Sequence, residues 1–309
     1  MLNNFRVQDF GRVAVLYGGI SSEREISIKS GLCVLHALQE AGVNVFGIDV
    51  GQNFIYKLTS ERIDRAFIML HGAFGEDGTI QGLLEYAQIP YTGSGVLASA
   101  LAMDKLRSKQ IWQSLGLPTP AYKIITNEKD CFNAVNDLGL PLMLKACSGG
   151  SSLGIAKITN TKEIGNALNK VKSFDDLIIA EQFISGTEFT VATLNDEILP
   201  TIKLGTNNEF FDFEAKYHSE STLYQIPCGL SKTKQCELDE LVLKACKALG
   251  VKNLARADVI QDIDENFWLL EVNTVPGMTD HSLVPRAAKA YGLDFKQLAL
   301  NILASTLKA

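Results

Sequence analysis

Three short apolar runs, each stopped by glycine, constrain the first ninety residues more than any other feature of the sequence. Arg12–Tyr17 halts at Gly18-Gly19, Val43–Val50 at Gly51, and Ala66–Leu70 at His71-Gly72. Between the first two lies a helical pattern. Ser22-Glu23-Arg24-Glu25 has capping-box spacing, Ile28, Leu32, Leu35 and Leu38 recur at helical intervals, and Gly42 is a natural stop. Thr79–Ala87 reads as another helix, closed by Pro90. Strands alternating with helices predict a parallel sheet. In such sheets ligands bind beyond the carboxyl ends of the strands, which places Gly18–Glu23 and His71–Asp77 at a candidate site.

The pattern then changes. Ser94–Leu115 reads as one long helix, ended by Gly116 and Pro118, and the first boundary falls within it. A second unit follows: strands at Tyr122–Thr126, Leu142–Cys147, Ile155–Thr159 and Leu177–Ile184, with helices near 128–138 and 161–172. A third starts near Gly186, with strands Phe189–Leu194 and Ile198–Leu204 around an Asn195-Asp196 turn. Residues 205–231 are irregular, and a loop of that length suggests function. Helix 233–249, strands near 254–262 and 267–273 and two further helices complete it. The expected division is 1–102, 103–185 and 186–309: a parallel α/β domain, a small α+β domain and a larger antiparallel-sheet domain.

Composition narrows the function. With 29 basic and 35 acidic side chains among 309 residues, the formal charge is −6, which argues against a globally basic nucleic-acid binder. An anionic substrate must be met by a few placed cations. Six cysteines without a C-x-x-C pair suggest reduced, mostly buried thiols rather than a zinc site or disulfide scaffold. There is no apolar leader and no apolar run long enough for a membrane span, so a cytoplasmic protein with no membrane partner is expected.

Two constellations carry chemistry. Gly149-Gly150-Ser151-Ser152-Leu153-Gly154 follows a strand bearing Lys145. Backbone N–H groups of such a loop can line a phosphate while the lysine supplies charge. The G-x-S-x-G spacing also fits a nucleophile elbow, which requires a helix after the turn. The strand pattern Ile155–Thr159 points instead to an antiparallel hairpin, a lid over nucleotide phosphates. The second constellation is a set of oxygen ligands. If the last two strands pair around Asp264-Glu265, Asp258 faces Glu271 and Arg256 faces Asn273, with Ala257, Val259, Trp268, Leu270 and Val272 on the apolar face. Hard oxygen donors without Cys or His point to Mg²⁺ held jointly with phosphates; a plain sheet face, with Arg256 pairing the acids, is the alternative. Glu23 can be a simple helix cap and His71 a buried structural histidine, although the glycine- and acid-rich loop around His71 is costly for stability.

These residues occur within longer matches: Gly-Gly-Ile-Ser-Ser-Glu-Arg-Glu-Ile-Ser (18–27), His-Gly-Ala-Phe-Gly-Glu-Asp-Gly-Thr-Ile-Gln-Gly (71–82), Tyr-Thr-Gly-Ser-Gly (91–95) and Met-Asp-Lys (103–105). Gly-Ser-Ser-Leu-Gly (150–154), Glu-Ala-Lys-Tyr (214–217), Glu-Val-Asn-Thr-Val-Pro-Gly-Met-Thr (271–279) and His-Ser-Leu-Val-Pro (281–285) follow in order. From about Val13 to the last helix the chain resembles the D-alanine–D-alanine ligases of the ATP-grasp superfamily. The resemblance implies a three-domain ATP-grasp α/β (α+β) fold with a Rossmann-like first domain and a central ATP lid. It implies ligation of two D-alanines through a D-alanyl phosphate, with ATP cleaved to ADP and phosphate, for peptidoglycan precursors.

The resemblance also implies roles. Asp258, Glu271 and Asn273 match the ligands of two Mg²⁺ ions, for which Mn²⁺ can substitute, with Glu271 bridging. Lys105, Lys145 and Lys216 match phosphate-binding lysines, with Ser151 and Ser152 in the lid loop; Glu181 and Ile184 match the adenine segment and Glu188 the ribose contact. Arg256 and the Gly277 N–H match the oxyanion donors. Glu23 matches the group that binds the first ammonium, networked with Ser151 and Tyr217, and His71 lies beside it. Ser282 and Leu283 match contacts to the second D-alanine, and a homodimer is implied. The chain departs from the family pattern at Ala146, where proline is usual, across Cys147-Ser148-Gly149, and at Gln182, where lysine is common; a looser phosphate lid is expected from this.

Overall fold

The computed structural model describes residues 5–51, 54–149, 154–205 and 223–308. Its strands form three sheets. In the first, β1 (Val13–Tyr17) lies between β2 (Val45–Asp49) and β3 (Arg65–Ile68), both parallel to it, as the alternating pattern predicts. Val13 to Leu16 are all buried, which is why this strand reads as a continuous apolar run. Helix α1 (Arg24–Glu40) covers one face; α2 (Phe54–Ser60), α3 (Thr79–Tyr86) and α4 (Val96–Met103) follow in chain order.

Helix α1 departs from its expected face. Its buried residues are Ser27, Ser30, Gly31, Val34, Ala37 and Leu38, while Leu32 is 47% exposed. The rotation follows from Gly31: a Cβ there would lie 2.3 Å from Tyr17 Cβ, so the helix backbone rests directly on β1. The capping box is absent as well. Glu23 occupies the N-cap position with no side-chain cap bond.

The expected long helix 94–115 is two helices, α4 and α5 (Lys105–Ser114), broken at Asp104. Asp104 is extended (φ −87°, ψ 103°), and its carboxylate accepts from the Arg107 N–H to cap α5. The new helix start is what turns Lys105 toward the later strands.

The second sheet is antiparallel throughout, in order β4 (Tyr122–Ile125), β7 (Ile178–Gln182), β5 (Leu142–Ala146), β6 (Ile155–Ile158). Helices α6 (Glu128–Leu138) and α7 (Ile164–Lys172) share its core of Ile125, Leu142, Leu144, Ile158, Leu168 and Ile178. The β5–β6 pairing is the anticipated hairpin, and the strand after the loop removes the nucleophile-elbow reading.

The third sheet runs β11 (Leu223–Gln225), β10 (Ile202–Gly205), β8 (Gly186–Leu194), β12 (Leu254–Asp262), β13 (Phe267–Asn273), with β9 (Glu197–Ile198) beside β8. The expected strand 198–204 is thus split around Pro200. Helix α8 (Lys232–Leu249) packs on one face, and α9 (Leu283–Tyr291) and α10 (Phe295–Ala304) close the chain. Trp112 of α5 is fully buried and donates to the Ala245 carbonyl of α8 at 3.2 Å, fixing α5 to this unit.

The β12–β13 register pairs Asp258 with Glu271 and Arg256 with Asn273, as the sequence indicates. It then slips at a bulge, so Val259 pairs with Leu269. The extra residue reverses the expected faces for the first half of β13. Phe267, Leu269 and Val272 are the core residues, whereas Trp268 and Leu270 share the open face with Glu271 and Asn273. All six cysteines are free thiols, four of them buried.

Candidate active site

A cleft between the second and third sheets is lined by Lys105, Lys145, Glu181, Ile184, Glu188 and Glu271, with Met143, Ile260 and Leu270 as apolar walls. Leu270 reaches it only because of the bulge. A smaller cavity adjoins it, lined by Glu76, Lys105, Gly149, Glu271, Asn273 and Thr274. Lys105 and Glu271 belong to both.

The lysines converge from different elements. Lys105 Nζ donates to the Gly149 carbonyl at 2.8 Å and stands 3.4 Å from Glu271 Oε2. Lys145 Nζ donates to Glu181 Oε2 at 2.6 Å. Burial works to raise the Glu181 carboxyl, but Lys109 and Lys145 together outweigh it and hold it below the usual carboxylate value. The glycine loop is anchored at its start: Asp175 accepts from the Ser148 N–H and hydroxyl at 2.7 and 2.6 Å. At its end, Gly154 has φ +68°, and a Cβ there would meet Phe174 and Ala146 at 2.9 and 3.0 Å. Ser151, Ser152, Lys216 and Tyr217 lie outside the described residues.

On the open sheet face, Asp258 accepts from Arg256 Nε and NH2 at 3.0 and 2.9 Å and from Thr190 Oγ1 at 2.7 Å. This is the Arg–acid pairing expected of a plain sheet face, and it also holds one carboxylate oriented opposite another. Among the described residues no group of three or more His, Cys, Asp or Glu could hold a metal ion. The set present is two carboxylates and the Asn273 amide, whose oxygen accepts from the Val275 N–H at 2.8 Å and keeps a second lone pair. Hard oxygen donors too few to enclose an ion fit a divalent cation completed by phosphates.

The other side of the site is a web of short loops. Ser21 donates to the His71 carbonyl at 2.6 Å and accepts from the Glu23 N–H at 3.2 Å. Glu23 is 6% exposed, and Gly72, at φ +71°, packs against its carboxylate. His71 is buried, with Nδ1 3.5 Å from Glu76 and Nε2 3.4 Å from Ser30 Oγ. Glu76 also accepts from the Gly72 N–H at 3.1 Å. Ser30 accepts from the Met278 N–H at 3.2 Å, tying α1 to the segment carrying Gly277. Ser282, the N-cap of α9, accepts from the Thr279 N–H at 2.9 Å, and its Oγ would lie 3.0 Å from a Cβ on Gly277; Leu283 begins the helix.

Three residues of this architecture escape the sequence reading: Ser30, Thr190 and Lys109. Ser30 and Thr190 look like ordinary element-interior hydroxyls. Lys109 had one available signal, its i, i+4 spacing from Lys105 on the same helix face.

The fold and this arrangement define an ATP-grasp carboxylate–amine ligase. The family models described as "D-ala D-ala ligase C-terminus" and "D-ala D-ala ligase N-terminus" match residues 111–304 and 51–94. D-alanine–D-alanine ligases from Pseudomonas fluorescens and Ectopseudomonas mendocina are 58% and 59% identical, over 98% and 97% of this chain and 93% and 96% of theirs. A Bacillus anthracis D-alanine–D-alanine ligase solved with ATP superposes with a TM-score of 0.85 at 33% identity, covering 96% of this chain and 97% of its own. The VanG D-Ala:D-Ser ligase of Enterococcus faecalis reaches 0.82 at 28%, covering 96% and 99%. The chain belongs to the D-alanine–D-alanine ligase family.

Proposed function

We propose that the chain joins two D-alanines into D-alanyl-D-alanine, with ATP cleaved to ADP and phosphate, by way of a D-alanyl phosphate. The supporting observation is that Lys105 and Glu271 line both cavities, a cation and a carboxylate at the junction, which suits a reading in which the larger cleft takes a nucleotide and the smaller cavity the amino acid. The proposed units 1–102, 103–185 and 186–309 each bring a part of the machinery, with α5 of the second packed on the third through Trp112.

Glu23 binds the ammonium of the first D-alanine and His71 packs beside it, leaving its carboxylate to attack the γ-phosphoryl group. Lys105, Lys145 and Lys216 neutralise the phosphates, Ile184 and Glu181 contact adenine, and Glu188 holds the ribose. Asp258, Glu271 and Asn273 would hold two divalent ions, Mg²⁺ with Mn²⁺ able to substitute, which supply charge neutralisation at the phosphoryl oxygens. Ser282 and Leu283 place the second D-alanine so that its amine attacks the acyl phosphate. Arg256 and the Gly277 N–H stabilise the oxyanion, which then expels phosphate. Ser151, Ser152 and Tyr217 close over the site, because an acyl phosphate must meet an amine before water. The enzyme acts in the cytoplasm as a homodimer; no described helix is long and apolar enough to cross a membrane.

The test is phosphate release from Mg·ATP with D-alanine, L-alanine, D-lactate plus D-alanine, or no amino acid, with the product weighed by mass spectrometry. Release only when D-alanine is present, with a dipeptide product, supports the reading; amino-acid-independent release overturns it.

A further inference from the structure

Directly beneath the nucleotide cleft lies a cation that the reaction above does not use. Lys109, one helical turn beyond Lys105, is fully buried. Its Nζ is 3.2 Å from Glu181 Oε1, donates to Thr119 Oγ1 at 2.6 Å and lies 3.4 Å from the Pro120 carbonyl. Glu181 is 1% exposed, and its other oxygen is held by Lys145. Thr119 in turn donates to the Leu269 carbonyl at 2.9 Å, beside the bulge that turns Leu270 and Glu271 into the cleft. One ammonium therefore joins α5, β7 and, through Thr119, β13.

Taking a lysine and its carboxylate partner out of water is costly, and a buried ion pair is often no more stable than apolar side chains of similar volume in place of both partners. The charge count gives it a purpose. Two ammoniums share one carboxylate, so the trio carries a surplus positive charge toward a cleft built for a polyanion. Remove Lys109 and the trio becomes neutral, with Lys145 wholly engaged by Glu181. We propose that Lys109 is a positioning residue for the nucleotide, holding Glu181 from below so that the Lys145 charge stays available to phosphate. This rests on the ligase reading for the identity of the nucleotide.

The groups facing Lys109 are Glu181 on β7, Lys145 on β5, the Thr119 hydroxyl and the Tyr122 ring on β4, whose centre is 5.8 Å away. Burial pushes the Lys109 ammonium down to about 8; Glu181 opposes this and Lys145 adds to it. The surplus charge is present below that pH and lost above it.

The experiment compares wild type, Lys109→Met and Thr119→Val by thermal unfolding, direct binding of Mg·ATP, and separate kinetics in ATP and D-alanine between pH 7 and 9. Lys109→Met is expected to raise KM for ATP about tenfold or more, with kcat within about threefold and KM for D-alanine unchanged. It is also expected to abolish the rise in wild-type KM for ATP above pH 8. Thr119→Val, which removes the hydroxyl that joins Lys109 to the Leu269 carbonyl and leaves the Lys109 charge in place, is expected to raise KM for ATP by about twofold to fivefold. A folded Lys109→Met enzyme with wild-type ATP binding, or with every constant reduced alike, overturns the proposal. Should that variant fail to fold, unchanged ATP binding in Thr119→Val overturns it instead. Wild type that binds ATP but makes no dipeptide refutes the ligase reading, while the binding comparison still decides the role of Lys109.

Discussion

Replacing Gly72 with alanine combines backbone strain with displacement of the Glu23 carboxylate, and a control glycine separates the two. Gly72 sits at φ +71°, where a Cβ would lie 2.7 Å from Glu23 Oε2 and 3.2 Å from Ser21 Cβ and Oγ. The left-handed conformation alone costs an L-residue about 1–2 kcal/mol. A relaxed carbon–oxygen contact is about 3.3 Å or more, so the Glu23 carboxylate must retreat by roughly 0.6 Å. Misplacement on the order of 1 Å can cost about a hundredfold in rate, so a loss of about tenfold or more in kcat/KM for D-alanine is expected, near 1.4 kcal/mol. Gly42 supplies the control. It has φ +80° with nothing within 4 Å of a Cβ, so Gly42→Ala carries the strain without the displacement. Both variants should lose a few degrees of thermal stability, and only Gly72→Ala should lose D-alanine affinity, with KM for ATP unchanged. Steady-state kinetics with D-alanine varied at saturating ATP reads the difference. Equal D-alanine constants in the two variants would refute the placement of Glu23 as the ammonium-binding group.

Three further outcomes follow from the nucleotide side. Glu271→Gln keeps the shape of β13 but removes a carboxylate from the proposed metal set, so Mg²⁺-dependent phosphate release should fall by about a hundredfold or more in a normally folded protein; a fall below tenfold would contradict the assignment. Gly154→Ala combines a φ of +68° with contacts of 2.9 and 3.0 Å to Phe174 and Ala146, and should cost about 2–3 kcal/mol in chemical denaturation and weaken ATP binding. The Asp175 carboxyl sits below its ordinary value: burial raises it, and hydrogen bonds from Ser148 and the Leu177 and Asp176 N–H groups outweigh that. Because its folded pKa is lower than its unfolded one, its stabilising contribution is full above the ordinary value of 3.8 and is lost as pH falls through the folded pKa. Asp175→Asn should therefore flatten the acid limb of the stability profile, followed by thermal unfolding below pH 5.

The sequence made the architecture readable wherever one face of an element is buried. The strand-and-glycine pattern placed β1 to β3, and period-2 alternation paired Asp258 with Glu271 in the observed register. It misled where a single residue breaks the period. The bulge in β13 moves Leu270 to the cleft, and nothing in Phe267–Asn273 marks it, since Trp268, Leu269 and Leu270 are all apolar. The break at Asp104 was equally hidden, because Val96–Ser114 is helical in pattern on both sides and only the cap reveals the turn. The face of α1 was misread because Gly31 is a contact made by lacking a side chain, which hydrophobic periodicity cannot register. Lys109 escaped because a fully buried lysine has the same letter as a surface one; its partners lie 10 and 72 residues away at Thr119 and Glu181.

The two halves of the site are held by different physics, and this bears on how each responds to its surroundings. On the side of Glu23, the loops at Ser21, His71 and Met278 are joined mainly through hydroxyl and backbone hydrogen bonds that meet at Ser21 and Ser30, with the buried Glu76 carboxylate beside His71. Hydroxyl and backbone bonds are short-ranged and little affected by salt, and burial shields the Glu76 carboxylate from screening. They fix the position of Glu23 and Gly277 relative to one another although 254 residues separate them. On the nucleotide side, Lys105, Lys109 and Lys145 are placed by Glu271 and Glu181, so charge sets the geometry. Burial protects the lower part of this network from screening, whereas the face toward the cleft is open to ions. Raising ionic strength should therefore weaken ATP binding well before it affects D-alanine binding. A chain whose net charge is −6 can bind a polyanion in this way only because its cations are gathered at one cleft and held there by the buried Glu181 and the half-buried Glu271.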